Sequence, residues 1–114
     1  MQTIYKILPA ALWHQALARG RLDGAPVDLA DGFIHFSARE QVAETAARHF
    51  AGQDGLLLLE VDAAALGADL KWEPSRGGAL FPHLYAPLLP GAVLRARPLP
   101  LGGGGAHDFS GLLP

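Results

Sequence analysis

Hydrophobic positions along the chain form short strand-like runs separated by amphipathic helical stretches. The run Thr3–Leu8 ends at Pro9, which predicts a first strand followed directly by a helix start. In residues 10–19 the apolar side chains share one helical stripe, and Gly20 follows where a left-handed C-terminal cap is expected. The near-continuous apolar run Leu56–Val61 predicts a central strand buried on both faces.

A second helix is predicted after the short strand Phe33–Ser37. Ser37 and Glu40 have the spacing of a capping box, which marks a helix that continues to about Phe50. The stretch before this strand, residues 21–32, carries Asp-Gly and Ala-Pro turn signals and is predicted to be a surface loop.

The rest of the chain predicts three more strands and a tail. The strands are residues 70–73, 80–85 and 92–97, and the four consecutive glycines from Gly102 predict that residues 102–114 form a flexible tail. Residues 1–101 then make a single α+β domain, because 114 residues suffice for one core of two packed layers.

Composition excludes several classes of protein. Half the residues are hydrophobic, the net charge is −2, and the basic residues are scattered, so we expect no duplex nucleic acid partner. Cysteine is absent, which removes disulfides, thiolate nucleophiles and cysteine-ligated zinc. The first residues lack the basic and long apolar regions of a signal peptide or membrane anchor, so we expect a cytoplasmic protein without a membrane partner. The oligomeric state is left open.

Candidate chemistry lies in two segments, 33–37 and 72–85. Strand alternation places His35 on the same face as Ser37, and the alternative for His35 is a structural bond to a backbone carbonyl. In the second segment, Arg76 and Gly77 lie in a Ser-Arg-Gly-Gly loop that could hold a phosphate or carboxylate, or could be only a turn. Glu73 lies just before that loop.

His83 and Tyr85 are two residues apart and point to one face if their segment is extended. They could bind one ligand together, with Tyr5 as a stacking surface; the alternative is a half-buried aromatic layer. No H-x-x-x-H or H-E-x-x-H spacing supports a metal, and no G-x-S-x-G elbow supports a serine hydrolase. A small hydrolase with His83 as general base is a further hypothesis.

Four motifs are informative when they are taken together: Ile4-Tyr5-Lys6-Ile7, Asp31-Gly32-Phe33-Ile34-His35-Phe36-Ser37, Trp72-Glu73 and Gly77-Gly78-Ala79-Leu80-Phe81-Pro82-His83-Leu84-Tyr85. In this combination the chain resembles a small bacterial family, the domain-of-unknown-function family numbered nine hundred and fifty-two, and the resemblance covers about residues 1–100. It implies a fold similar to the ADP-ribosyltransferase group, with a mixed split β-sheet and two main helices. That group splits NAD at the nicotinamide glycosidic bond.

The resemblance also implies roles for individual residues. His35, His83 and Glu73 would be catalytic, with His83 and either Tyr85 or Glu73 near the reacting ribose. The ligand-binding set would be Tyr5, Ser37, Arg76, Gly77 and Tyr85, with Arg76 at the diphosphate. We assign no cofactor and no metal; NAD would enter as a substrate. The sequence lacks the Arg-Ser-Glu, Glu-x-Glu and His-Tyr-Glu arrangements of that group, so the alternative is a non-catalytic binding or interaction module that keeps the cleft without turnover.

Overall fold

The fold is α+β, with two antiparallel sheets and three α-helices in the computed structural model, which describes residues 2–114 except for the side chain of Arg76. The elements in chain order are β1 (Thr3–Pro9), α1 (Ala10–Arg19), α2 (Pro26–Asp31), β2 (Ile34–His35), β3 (Ser37–Ala38), α3 (Val42–His49), β4 (Leu56–Asp62), β5 (Leu70–Pro74), β6 (Leu80–Leu84) and β7 (Val93–Leu99). No helix in residues 2–114 is long and apolar enough to cross a membrane.

The larger sheet has the strand order β3-β1-β4-β7 and the smaller has the order β2-β6-β5. All strand pairings in these described sheets are antiparallel, so the prediction of a mixed sheet was wrong. The physical reason is that no two neighbouring strands are linked by a simple βαβ crossover, the connection that makes neighbours parallel.

Both faces of the larger sheet are covered. On one face, Ile4 and Leu8 of β1 pack with α1 and the smaller sheet; on the other, Tyr5 and Ile7 pack with α3 and the C-terminal residues. Strand β4 lies between β1 and β7, as its apolar run predicted. Because side chains alternate along β1, each face receives every second residue.

The split between the sheets begins at Phe36, where the chain changes partner. His35 of β2 pairs with His83 of the smaller sheet, and Ser37 of β3 pairs with Tyr5 of the larger one. The backbone N–H of Phe36 still donates to the carbonyl of Pro82, at 3.0 Å. One continuous stretch of chain therefore belongs to both sheets, and a cleft opens where they diverge.

The predicted capping box at Ser37 was wrong. Ser37 is extended, and its hydroxyl lies 2.8 Å from that of Thr45. The helix begins later, at Val42, and the Gln41 side chain accepts a hydrogen bond from the N–H of Ala38 at 2.9 Å. Pairing with the buried strand β1 prevails over the local helix signal.

Residues 102–114, predicted to be a flexible tail, fold back onto the larger sheet in the structure. Phe109, Leu112 and Leu113 pack against the core cluster around Tyr5 and Ile7. The Arg97 guanidinium donates to the carbonyl of Leu112 at 2.8 Å and to Glu60 at 3.1 Å. These contacts come after the glycine run on which the prediction depended, and they complete the cover that α3 gives to this sheet face.

Candidate functional site

A cleft of about 680 Å³ occupies the split between the two sheets. Cavities of 300–1,000 Å³ are typical of small-molecule sites. Its lining combines polar residues from both sheets with apolar residues of the helices, among them Tyr5, Lys6, Ile7, Leu12, Val27, Asp28, Asp31, His35, Ser37, Phe50, Ser75, Phe81 and His83. The sequence candidates Tyr5, His35, Ser37 and His83 therefore meet in one cleft.

The other sequence candidates lie elsewhere. Tyr85 lines a smaller hollow of about 270 Å³ behind the cleft, and Glu73 reaches the cleft only through its bond to His83. Gly77 belongs to an exposed turn with φ of 68° and is not part of the cleft lining. The Arg76 side chain lies outside the described residues.

A buried polar network forms one wall of the cleft. Asp28 is 1% exposed and Lys6 is 5% exposed. One carboxylate oxygen of Asp28 lies 3.0 Å from the Lys6 ammonium and accepts from the N–H of Ala25 at 2.8 Å. The other accepts from the N–H of His35 at 3.1 Å and from its Nδ1 at 2.6 Å. A charge without water needs such partners, and Asp28 has four.

The pKa of Asp28 is set by burial on one side and by the partners of its carboxylate on the other. Burial raises the pKa, but the hydrogen bond from the His35 ring, the Lys6 ammonium and the two backbone N–H groups prevail and lower it to about 2. For Lys6, burial lowers the pKa and Asp28 opposes that shift. Asp28 therefore carries its negative charge throughout the neutral range.

A second histidine–carboxylate cluster lies on strands β5 and β6 of the smaller sheet. Nδ1 of His83 lies 2.9 Å from a carboxylate oxygen of Glu73, and the Tyr85 hydroxyl donates to the same oxygen at 2.6 Å. The hydrogen bonds from Tyr85 and His83 lower the pKa of Glu73, and the bond to Glu73 raises the pKa of Tyr85. When Nδ1 of a neutral imidazole donates to a carboxylate, Nε2 carries the lone pair and can accept a proton.

The two histidines are direct cross-strand partners. Their ring centroids are 5.5 Å apart in an edge-to-face arrangement. Phe33 stacks on His83 at 4.1 Å and contacts His35 at 4.5 Å. Because each imidazole is held by a carboxylate and by Phe33, both rings are oriented before any ligand arrives.

Asp28 also depends on a glycine. Gly24 has φ of 135°, and a Cβ added there would lie 2.7 Å from the Cβ of Asp28. Only glycine combines this backbone conformation with such a close approach. The turn before α2 therefore lets Asp28 enter the cleft wall.

Sequence reasoning missed Lys6, Asp28 and Asp31. The stretch predicted as a surface loop contains α2, which begins at Pro26 and ends before Gly32 with φ of 86°. Proline at the first helical position and glycine just past the end are the signals that could have located this helix. The partnership of Lys6 with Asp28 has no local signal, because it joins a strand to a helix 22 positions later.

Metal binding has no support in the part of the chain that is described, where no group of three or more histidine, aspartate or glutamate side chains could hold an ion. The charged groups of the cleft are mostly paired with one another. Asp31 lies at its rim, with its carboxylate 3.0 Å from Nε2 of His35. The described wall can therefore orient imidazoles, accept a proton and offer negative charge.

Three solved structures are similar to this chain over nearly its whole length. The crystal structure of protein CC0527 from Caulobacter crescentus superimposes with a TM-score of 0.92 and is 57% identical, covering 95% of both chains. A crystal structure of a double mutant of CC0527 gives 0.91 at 56% identity with the same coverage. The solution NMR structure of CC0527 gives 0.88 at 57% identity, covering 99% of this chain and 97% of that one.

No curated protein matches the chain. The profile described as "Protein of unknown function (DUF952)" matches residues 7–96. This range includes β1 from Ile7 onward, the cleft histidines His35 and His83, and most of the residues that line the cleft. The chain therefore belongs to the DUF952 family of proteins of unknown function.

Proposed function

We propose that this protein binds NAD or a related nucleotide in the cleft between its two sheets and transfers ADP-ribose from it. The observation that carries the proposal is the cross-strand pair His35 and His83, each held by a carboxylate on the wall of a ligand-sized cleft. The division into two sheets around a cleft supports the proposed likeness to the ADP-ribosyltransferase fold.

In the proposed reaction the bond between the ribose C1′ and the nicotinamide nitrogen breaks, and nicotinamide leaves with the electron pair as a neutral molecule. The ribose becomes cationic as the bond lengthens, and the exposed carboxylate of Asp31 stabilises that charge. A hydroxyl of the acceptor attacks C1′, and its proton passes to Nε2 of His83. Glu73 would act as a positioning residue for His83.

Other candidate residues would bind the rest of the nucleotide. Tyr5 and Ser37 line the cleft and would contact its rings or hydroxyls. The diphosphate would meet Arg76 and the N–H groups of the turn that contains Gly77, where Ser75 reaches the cleft lining.

Calorimetric titration with NAD and with ADP-ribose tests the binding step, and release of nicotinamide tests transfer. We expect saturable heat with NAD and release above the spontaneous rate. His83→Ala should lower the release rate by about 100-fold or more, the usual contribution of a general base. His14→Ala, on the exposed side of α1, is the matched control and should change neither measurement. Absence of heat at millimolar nucleotide would overturn the proposal.

A second candidate function is binding without turnover. It is favoured by the environment of His35, whose two ring nitrogens both face carboxylates, Asp28 and Asp31. A ring engaged on both sides is suited to holding the cleft wall in place. NAD that binds without releasing nicotinamide, together with a His35→Ala variant in which only affinity changes, would identify this function.

A further inference from the structure

Strand β1 has an open edge inside the cleft. It pairs with β4 over its whole length, Thr3–Pro9, but with β3 only at Ile4 and Tyr5. Beyond Tyr5, no other described strand pairs with this edge. Ile7 and Pro9 on this stretch line the cleft.

The register shows which backbone groups point into the cleft. Two hydrogen bonds continue the β1–β4 ladder at its ends: Ala10 N–H donates to the Gly55 carbonyl at 2.9 Å, and Ala63 N–H donates to the Gln2 carbonyl at 3.0 Å. They show which residue pairs of the ladder are hydrogen-bonded. In an antiparallel ladder hydrogen-bonded and non-hydrogen-bonded pairs alternate. Even-numbered residues of β1 therefore bond to β4, and the backbone groups of odd-numbered residues point to the opposite edge.

Ile7 is thus left with an N–H and a C=O that point toward the cleft. Tyr5, the preceding odd-numbered residue, meets Ser37 of β3, but at Ile7 the chain that would continue β3 has already left for the smaller sheet. Among the described strand pairings of β1, none bonds either backbone group of Ile7 on this edge. Buried backbone groups of this kind are nearly always paired, so this edge is suited to an incoming partner.

The cleft walls also match an added strand. Successive side chains of a strand point to opposite faces, so an added strand needs room on both faces of the sheet. The cleft provides both: Leu12 packs with the core on one face of the larger sheet, Phe50 packs with the core on the other, and both line the cleft. Val27 extends the apolar wall at the rim and is 58% exposed.

We propose that the cleft binds an extended, apolar peptide segment of a partner protein, which adds as a strand to the open edge of β1. Ile7 supplies a donor and an acceptor to the peptide. Backbone bonds of this kind provide affinity, and the pockets on the two faces select alternate side chains. The inference does not depend on nucleotide binding; a nucleotide in the same cleft would compete with the peptide.

Amide hydrogen exchange of the ¹⁵N-labelled full chain tests the edge. In the free protein the Ile7 amide should exchange at least about tenfold faster than the Lys6 and Leu8 amides, which face β4. The probe is a pool of acetylated, amidated pentapeptides built from valine, isoleucine, leucine and threonine. Millimolar probe should slow the Ile7 amide at least about tenfold.

A matched pool in which every backbone nitrogen is methylated is the control, since it keeps the side chains but cannot donate to the strand. It should give no protection of Ile7. The proposal is overturned if Ile7 is as protected as its neighbours in the free protein, if the unmethylated pool gives no protection, or if the methylated pool binds equally well. Protection that rises with protein concentration and accompanies dimerisation in sedimentation would also overturn it, by assigning the edge to a second copy.

Discussion

Two histidine–carboxylate pairs lie side by side in this molecule, and their surroundings differ. The His35–Asp28 pair is joined by a buried cation and by two backbone donors, with Asp28 1% exposed. In the His83–Glu73 pair the imidazole is buried, but the Glu73 side chain is 36% exposed and has Tyr85 as a second donor.

The difference separates a structural role from a chemical one. A buried carboxylate that loses one partner is left with an uncompensated charge, so the groups around Asp28 are fixed together. A carboxylate in contact with water can exchange partners at small cost. We therefore expect His35 to hold the cleft in shape and His83 to be the imidazole that handles protons.

The largest expected effect comes from Asp28→Asn. It leaves the buried Lys6 ammonium without its counter-charge and should lower the free energy of unfolding by about 3–5 kcal/mol. Urea denaturation followed by circular dichroism measures it. Glu73→Gln removes the equivalent charge at the exposed pair and should leave the denaturation midpoint nearly unchanged. Equal losses in the two variants would abolish the distinction between the pairs.

The next effect is a loss of stability in acid. The pKa of Asp28 is about 2 in the folded protein against an ordinary value of 3.8. Because the folded-state pKa is depressed, Asp28 contributes its stabilisation above pH 3.8 and loses it as the pH falls toward 2. The difference corresponds to about 2 kcal/mol. Urea midpoints measured from pH 5 to pH 2 should show this step in the wild type, and the step should be absent in Asp28→Asn.

A smaller effect is expected from Phe33→Leu. Leucine preserves an apolar side chain but removes the ring contacts with His35, His83 and Tyr85, at a cost of about 1 kcal/mol. The imidazole NMR signals of His35 and His83 should both move, whereas those of the distant His14 should not. A shift in the NMR signals of only one of these two histidines would show that Phe33 does not couple the two histidine–carboxylate pairs.

The smallest effect is a change in one pKa. Glu73 raises the pKa of Tyr85, so Glu73→Gln should bring that pKa back toward its ordinary value. The chain has two tyrosines, and Tyr5 is an internal reference because burial and Glu60 raise its pKa. NMR titration of the ring carbons should show Tyr85 titrating at lower pH in the variant and Tyr5 unchanged. A constant Tyr85 pKa would disprove the Glu73 bond in solution.

The elements that could be predicted from sequence are those with local signals. Helix α1 occupies residues 10–19 as predicted, with Gly20 in the left-handed region, because an apolar stripe and a glycine cap lie in one short segment. Strand β4 could be predicted because its apolar residues follow one another almost without a break. The signal at Ser37 was equally local but was overridden by pairing with β1.

The site could be predicted only in part, because its geometry is non-local. Alternation placed His83 and Tyr85 on one face of their strand, and both contact Glu73. Nothing in either segment alone specified that His35 and His83 would be direct partners, since that depends on the register between β2 and β6. Lys6 lies in an apolar strand, and its ammonium is tolerated in the interior because it pairs with Asp28 and donates to the carbonyl of His35, two contacts that depend on the fold.

The partner change at Phe36 has a mechanical consequence. Phe36 is bonded to the smaller sheet at Pro82, and the next residue is paired with the larger sheet at Tyr5, so the backbone joins the two layers directly at this point. We expect any widening of the gap between them to be a rotation about this joint rather than a sliding of one layer past the other. A molecule bound in the cleft between the sheets would then strain the peptide at Phe36 and shift the NMR signals of residues in both sheets.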